Sequence, residues 1–295
     1  VWADPSRYRR QCWTRDFGLA VQPLLLDLGD FGIAERHLRS LEKRQRSDGQ
    51  IPIVFLDGLG GHVDFLASKA KKSLRDGKLS FMLKRYLVGQ LGQLTPGTRD
   101  SELLYIIAAY EYAEKTGKMP VSHESIMLAM HYIESNLLDN RGLLLGADWR
   151  DTMEKELGDK ALLTNNALLC RAYDLMGKTN PKMAEFAKRQ KQIVNEVFWD
   201  GRLLQDWPGN LSSGQRFDPL GASLAVLYDV IPPKRYEDVW DGFSSVGAAD
   251  RNTVTIKCAG GAGVALENGA RALLYCDGSD FANAVPTVFP AGLTV

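Results

Sequence analysis

The chain has 295 residues, 45% of them hydrophobic, with 36 basic and 36 acidic side chains and a formal net charge of zero. That length supplies one large core, and the charge balance argues against a protein that grips the phosphate backbone of nucleic acid. No stretch is long and apolar enough to span a bilayer, and with no signal peptide visible the expected location is the cytoplasm.

In chain order, residues 17–28 are mostly apolar and read as a helix ending near Gly29. Residues 31–46 place Phe31, Ala34, Leu38 and Leu41 on one face and charges on the other, the mark of an amphipathic helix. The basic side chains Arg36, Arg39, Lys43, Arg44 and Arg46 there read as a solvated face. A long Gly-rich stretch over 47–98 follows, of the kind that is usually functional or mobile in a compact protein. Residues 101–116 then form a strongly apolar helix stopped by Gly117, and 121–138 an amphipathic one. Residues 161–176 are apolar nearly all round. Asn180 caps a helix with Pro181 at its first position, buried along Met183, Phe186, Ile193, Val194 and Val197. Residues 217–230 are apolar again, and Pro232-Pro233 open another charged helix. The only β-like runs are 51–56 and 253–258.

This alternation has a structural meaning. A helix apolar on every side must be enclosed by protein, whereas an amphipathic helix has water outside it. Strict alternation predicts an all-α fold, an α/α toroid of helical hairpins with inner and outer rings, over residues 1–295 as a single domain. The loops entering the inner helices share one rim, and they carry Trp13-Thr14-Arg15-Asp16, Arg99-Asp100, Asp148-Trp149-Arg150-Asp151 and Arg216-Phe217-Asp218. Acids, arginines and indoles on one rim suit carbohydrate chemistry: carboxylates move protons, Arg and Asp hold hydroxyls, and Trp stacks on sugar faces.

Five segments in this order carry a family resemblance: Trp13-Thr14-Arg15-Asp16-Phe17, Asp48-Gly49-Gln50-Ile51-Pro52, Asp100-Ser101-Glu102-Leu103-Leu104, Asp148-Trp149-Arg150-Asp151 and Asn165-Asn166-Ala167-Leu168. The ordered set resembles the six-hairpin (α/α)6 glycosidases, among them the amylo-α-1,6-glucosidase region of glycogen debranching enzymes, the neutral invertases and the mannosylglycerate-hydrolase-like enzymes. The resemblance covers residues 8–245. It implies a general acid in the loop before the Asn-Ala-Leu helix, which here holds Asp148, Asp151, Glu154 and Glu156. Trp149-Arg150-Asp151-Thr152 looks like the debranching-enzyme pattern and favours Asp151; the spacing to Asn166 fits Asp148 equally. Trp13, Arg15 and Asp16 match the segment that binds the sugar in the innermost subsite.

The chain departs from the family in its last third. The His/Asn/Gly/Trp-rich loop that carries the family's base has no counterpart, and roughly ten helical segments are countable rather than twelve. Glu267 is the tail's candidate base, with nothing around it matching the pattern. Residues 264–295 read like the helix that normally precedes the Trp-x-Arg-Asp loop, and joining Val295 to Val1 gives a family-like run. Two expectations follow, a chain incomplete relative to the family or a circular permutation with a linker near 259–263.

The predicted function is cleavage of an α-linked glucosyl- or mannosyl-type sugar by two carboxyl groups, with inversion. Asp48, Asp100, Arg99, Arg216 and Asp218 are candidate hydroxyl-binding groups, and Trp149, Trp199 and Trp207 candidate stacking platforms. Structural uses compete for the same residues: Asp16 and Asp100 suit helix N-caps, Arg216 and Asp218 an ion pair at a helix start, and Trp199 and Trp207 packing indoles. The alternatives in function are a carbohydrate-binding or scaffold toroid without hydrolysis, and a sugar epimerase. An epimerase needs inward-facing histidines, and of the four present only His62 lies near the rim loops. Cys12, Cys170, Cys258 and Cys276 are widely spaced, so no zinc or redox motif, no metal and no cofactor is expected.

Overall fold

The computed structural model describes residues 10–64, 67, 99–150, 154–209 and 217–249, and four short strands beyond them. Contacts divide the chain into two compact units, residues 1–200 with 204–231, and residues 201–203 with 232–295. The described chain is mostly helical, as its periodicity predicts.

The larger unit opens on β1 (Gln11–Trp13), which pairs antiparallel with β2 (Val54–Leu56) in the register Cys12↔Phe55. Helix α1 (Thr14–Ala20) follows at once and gives way to a π-helical segment, Val21–Leu26. Pro23 falls within this segment and lacks a backbone N–H to donate, which fits a change of pitch there. Helix α2 (Phe31–Glu42) buries Ala34, Leu38 and Leu41 as its pattern predicts, together with His37. His37 stacks on Phe17 with ring centroids 3.9 Å apart, and burial, then the nearby Arg44 charge, pulls its pKa down to about 3. It is a packing histidine.

The start of the Gly-rich stretch is a built part of the core rather than a loose loop. Residues 49–56 are all buried. Gly49 has φ +101°, and a Cβ there would lie 2.1 Å from the Leu128 carbonyl oxygen, so only glycine allows this approach to the next hairpin.

Helix α3 (Ser101–Thr116) is buried on every side through its first twelve residues and ends on Gly117 at φ +72°. Each fully buried Leu or Ile there contributes about 1.5–3 kcal/mol relative to exposure. Helix α4 (His123–Asn136) is capped by Ser122, whose hydroxyl accepts from the Ser125 amide at 3.1 Å. After a short helical turn, α5 (Glu154–Leu157), comes α6 (Leu163–Gly177), again buried nearly throughout. Helix α7 (Pro181–Val197) packs along α6 and buries Met183, Ala187, Gln190 and Val194. The expected stripe holds at Met183 and Val194, while Phe186, Ile193 and Val197 are half-buried. Helix α8 (Pro219–Leu227) lies against α6.

The packing order is α1 on α3, α3 on α6 and α6 on α8, so the apolar helices are consecutive neighbours. The amphipathic helices cover them: α2 and α4 on α3, α7 on α6. Gly18 lets α1 and α3 approach closely, since a Cβ there would lie 2.5 Å from Leu104 Cβ.

The smaller unit holds a 3-10 turn (Pro233–Arg235), helix α9 (Tyr236–Ala249) and two antiparallel strand pairs, β3 (Val254–Ile256) with β4 (Val264–Leu266) and β5 (Leu274–Cys276) with β6 (Phe281–Asn283). These strands correct the helical expectation at 264–266, 274–276 and 281–283; the rest of 264–295 lies outside the described residues. The apolar runs there are at most five residues long, broken by Asn268-Gly269 and Asp277-Gly278, dipeptides that favour tight turns over helix. The linker near 259–263 and both chain ends lie outside the described residues, and with them the meeting of termini that a permutation requires. Among the described residues no helix is long and apolar enough to cross a membrane.

Candidate functional site

The apolar helices α1, α3, α6 and α8 all begin close to one set of ionic contacts. Segment 51–56 fixes the first two starts. The Thr14 amide donates to the Ile53 carbonyl at 2.8 Å, the Thr14 hydroxyl donates to the Pro52 carbonyl, and the Ile51 amide donates to Glu102 Oε1 at 3.0 Å. Arg15, in the first turn of α1, is thereby held against Asp100 at the N-cap of α3. The guanidinium grips that carboxylate with Nε and Nη2, the latter at 3.2 Å from Oδ1. Asp100 is nearly fully buried and makes no capping bond to its own helix, so the expected N-cap is instead an ionic partner.

Arg15 also reaches the loop before α6. Its Nη2 donates to the Asp148 carbonyl at 3.2 Å and its Nη1 to the Trp149 carbonyl at 3.4 Å. That loop is strapped to α6 by two asparagines. Asn165 Nδ2 donates to the Gly146 carbonyl at 3.0 Å, and Asn166 exchanges bonds with both the amide and the carbonyl of Leu144. The Arg99 amide adds a bond to the Ala147 carbonyl at 2.9 Å. The Asn-Asn pair therefore positions the acid-bearing loop.

Arg150 is the second centre. Its Nε and Nη2 lie 2.9 and 2.7 Å from Asp148 Oδ1 and Oδ2, and its Nη1 and Nη2 grip Asp206, with Nη2 2.8 Å from Oδ1. Both carboxylates are completely buried. Burial works against the guanidinium charge, but hydrogen bonds from Asp206 and Asp148 outweigh it and hold the pKa above the usual arginine value. Asp206 is a residue that sequence reasoning missed. Its signal was available: Leu204-Gln205-Asp206-Trp207 repeats, before Pro208, the Asp-Trp pair of Asp148-Trp149.

Asp218 closes the set. It caps α8 through Leu220 N at 3.1 Å and accepts a hydrogen bond from the Thr164 hydroxyl at the start of α6. Burial pushes its carboxyl up, and the negative charges of Asp206 and Asp148 push the same way against Thr164 and Arg150. Asp16 sits at the open edge, solvent-exposed as a residue, with its carboxyl raised by partial burial and by Asp100. Glu102, in the first turn of α3 and fully enclosed, is pushed up by burial to about 7.

Of the sequence-predicted residues, Arg15, Asp100, Asp148 and Asp218 are thus bonded into one region. Trp149 is 44% exposed, with the Arg150 guanidinium 5.8 Å from its ring centre, and is the indole open for stacking. Trp13 and Trp199 are half-buried; Trp207 packs against Ala147, Leu157 and Leu162 beneath the loop. Asp48 is spent locally, accepting from the Gln50 amide at 3.1 Å and pairing with Arg46. Asp151, Arg216 and Glu267 lie outside the described residues. Among the described residues there is no cluster of three His, Cys, Asp or Glu side chains arranged to hold a metal.

The fold has solved counterparts. A wild-type glycosidase structure superposes with a TM-score of 0.55 at 16% identity, over 87% of this chain and 66% of that one. A glycosidase variant in complex with glucose gives the same values, and another variant reaches 0.56. The chain thus spans just under two thirds of the length of the glycosidases it matches. No protein-family model and no curated protein matches it. At this identity the likeness is one of architecture: an all-α, glycosidase-like fold.

Proposed function

We propose that the chain is a glycoside hydrolase, or the greater part of one, built on an α/α toroid and acting on an α-linked glucosyl- or mannosyl-type sugar. The observation that carries this reading is the convergence of Arg15, Asp100, Asp148, Arg150, Asp206 and Asp218 at the starts of neighbouring apolar helices. The glucose-bound glycosidase variant of similar architecture supports the sugar class.

Roles follow from the bonding. Both Asp148 oxygens lie on Arg150, and releasing one to carry a proton would strip the guanidinium of a buried partner. Asp148 therefore anchors the loop, and Asp151, next in the chain after Arg150, is assigned as general acid. Trp13, Arg15 and Asp16 line the innermost subsite, Asp100 orients Arg15, and Trp149 stacks on the sugar ring. Glu267 is assigned as the base that activates water. Inversion requires about 6.5–9.5 Å between the two catalytic carboxyl groups.

The ionic pairing of Asp100, Asp148 and Asp206 favours one second reading, a sugar-binding toroid without hydrolysis. One experiment separates the two: turnover and calorimetric binding on a panel of α-linked disaccharides, for the wild type and for Asp151→Asn, Asp148→Asn and Glu267→Gln. The hydrolase reading expects Asp151→Asn to lower kcat by about 10²–10⁴ with the fold intact. Binding without turnover in the wild type selects the second reading, and neither binding nor turnover overturns both.

A further inference from the structure

A cavity of about 390 Å³ lies among the end of α4, the turn at 139–142, α6 and α7. None of the residues of the ionic region lines it. Its size is at the lower end of the range that small-molecule sites occupy. One wall is a single face of α7, where Lys182, Phe186, Arg189 and Gln190 recur at helical spacing. The opposite wall carries Tyr173 from α6 and Glu134 from α4, joined by a bond from the Tyr173 hydroxyl to Glu134 Oε1 at 3.2 Å.

The cations in this wall are available. Lys182 and Arg189 are solvent-exposed, and neither forms an ion pair among the described residues; the Lys182 ammonium rests 5.4 Å from the Phe186 ring centre. Asp139, which also lines the cavity, is already committed to the amides of Arg141 and Leu143 and to the Arg141 side chain. Gln190 is nearly fully buried and donates through Nε2 to Asn166 Oδ1 at 3.3 Å, while its Oε1 accepts no hydrogen bond among the described residues.

We propose that this cavity is a second ligand site, which binds a hydroxyl-bearing organic anion of monosaccharide size. Lys182 and Arg189 pair with the anionic group, Glu134 and Gln190 Oε1 accept from hydroxyls, and the Tyr173 and Phe186 rings bound the apolar face. The site also has a mechanical connection. Asn166 Oδ1, which accepts from Gln190, accepts as well from the Leu144 amide at 3.0 Å, and Leu144 begins the strapped segment that leads to Asp148. Occupancy at Gln190 thus tightens the root of the loop that carries Arg150.

The test is calorimetric titration of the whole chain with glucose 6-phosphate, gluconate, glucose and inorganic phosphate. Binding of either sugar anion, with glucose and phosphate each weaker by about tenfold, is expected, as one charge-assisted contact or a set of hydroxyl bonds is then missing. The phosphate and carboxylate arms identify the anionic group. The Lys182→Gln/Arg189→Gln double variant should bind at least about tenfold more weakly, whereas Lys188→Gln, on the opposite side of α7, should not change affinity. Both altered side chains are exposed, so an unchanged melting temperature confirms folding. No binding of either sugar anion, undiminished binding in the double variant, or inorganic phosphate binding as tightly as glucose 6-phosphate would each overturn the site. Hydrogen exchange at the Leu144 amide should slow with ligand bound; unchanged exchange at saturation removes the link to the loop.

Discussion

Helices α3 and α7 are nearly equal in length, at 16 and 17 residues, and begin in opposite ways. Asn180 spends its side chain on its own helix, accepting from the Lys182 amide at 3.1 Å. Asp100 holds the same position on α3 and gives its carboxylate to Arg15, 85 residues earlier. The covering helix is capped for its own stability; the enclosed one leaves its first turn without a side-chain cap and builds an ionic contact across the fold. Asp218 stands between them, with one oxygen on its own helix and the other on Thr164. Local capping is set aside where an ionic contact across the fold is assembled, and that is where α3 departs from it.

The contrast is broken most forcefully at Arg150. Arg150→Met strips the buried Asp148 of its countercharge and Asp206 of a two-pronged partner, and urea unfolding should show a loss of about 3–5 kcal/mol. A loss below about 1 kcal/mol would mean that the ionic contacts are surface decoration. Next is Glu102. Its folded pKa is raised, so the folded state holds the proton more tightly than the unfolded chain, and this contribution to stability falls as pH rises from about 4.3 toward 7. The loss should approach roughly 3 kcal/mol in the wild type and vanish in Glu102→Gln, which keeps the acceptor for the Ile51 amide. Denaturation midpoints at pH 5 and pH 8 compare the two directly.

Smaller effects sharpen the same comparison. Gly18→Ala drives a methyl into Leu104 where α1 meets α3, and about 1–3 kcal/mol of thermal stability should be lost. Asn180→Ala should cost about 1 kcal/mol with sugar binding unchanged. Asp100→Asn should do the reverse, weakening sugar binding by more than its effect on melting, because Arg15 then loses its countercharge and is held by the Asp148 and Trp149 carbonyls without it. Equal behaviour of the two caps would erase the distinction.

The helices were legible because burial imposes a period. The run SELLYIIAAYEYAEKT, apolar on all faces, has to be enclosed, and the charged face of residues 181–197 has to meet water. Asp148 and Trp149 were legible as a cluster, yet their bonding was not: that Arg150 closes on Asp148 rather than standing beside it depends on a loop held by Asn165 and Asn166 from another element. Asp206 escaped because a two-residue echo carries no periodicity. The tail was misread because residues such as Val264, Ala265 and Leu266 suit either helix or strand over so short a span. The π segment at Val21–Leu26 is hidden for the same reason, its sole signal being Pro23.

Arg150 has a consequence for how the chain is made. Its two carboxylates lie 2 and 56 residues away in sequence. At about 5–20 residues per second on a ribosome, several seconds separate the arrival of Asp148 from that of Asp206. During that interval the guanidinium has one partner and the pair is neutral. When Asp206 emerges it brings a second negative charge to a contact already formed, and the loop before α6, strapped by Asn165 and Asn166, gains this ionic latch only then. A nascent chain halted before residue 206 should therefore carry packed α3 and α4 beside an unlatched loop.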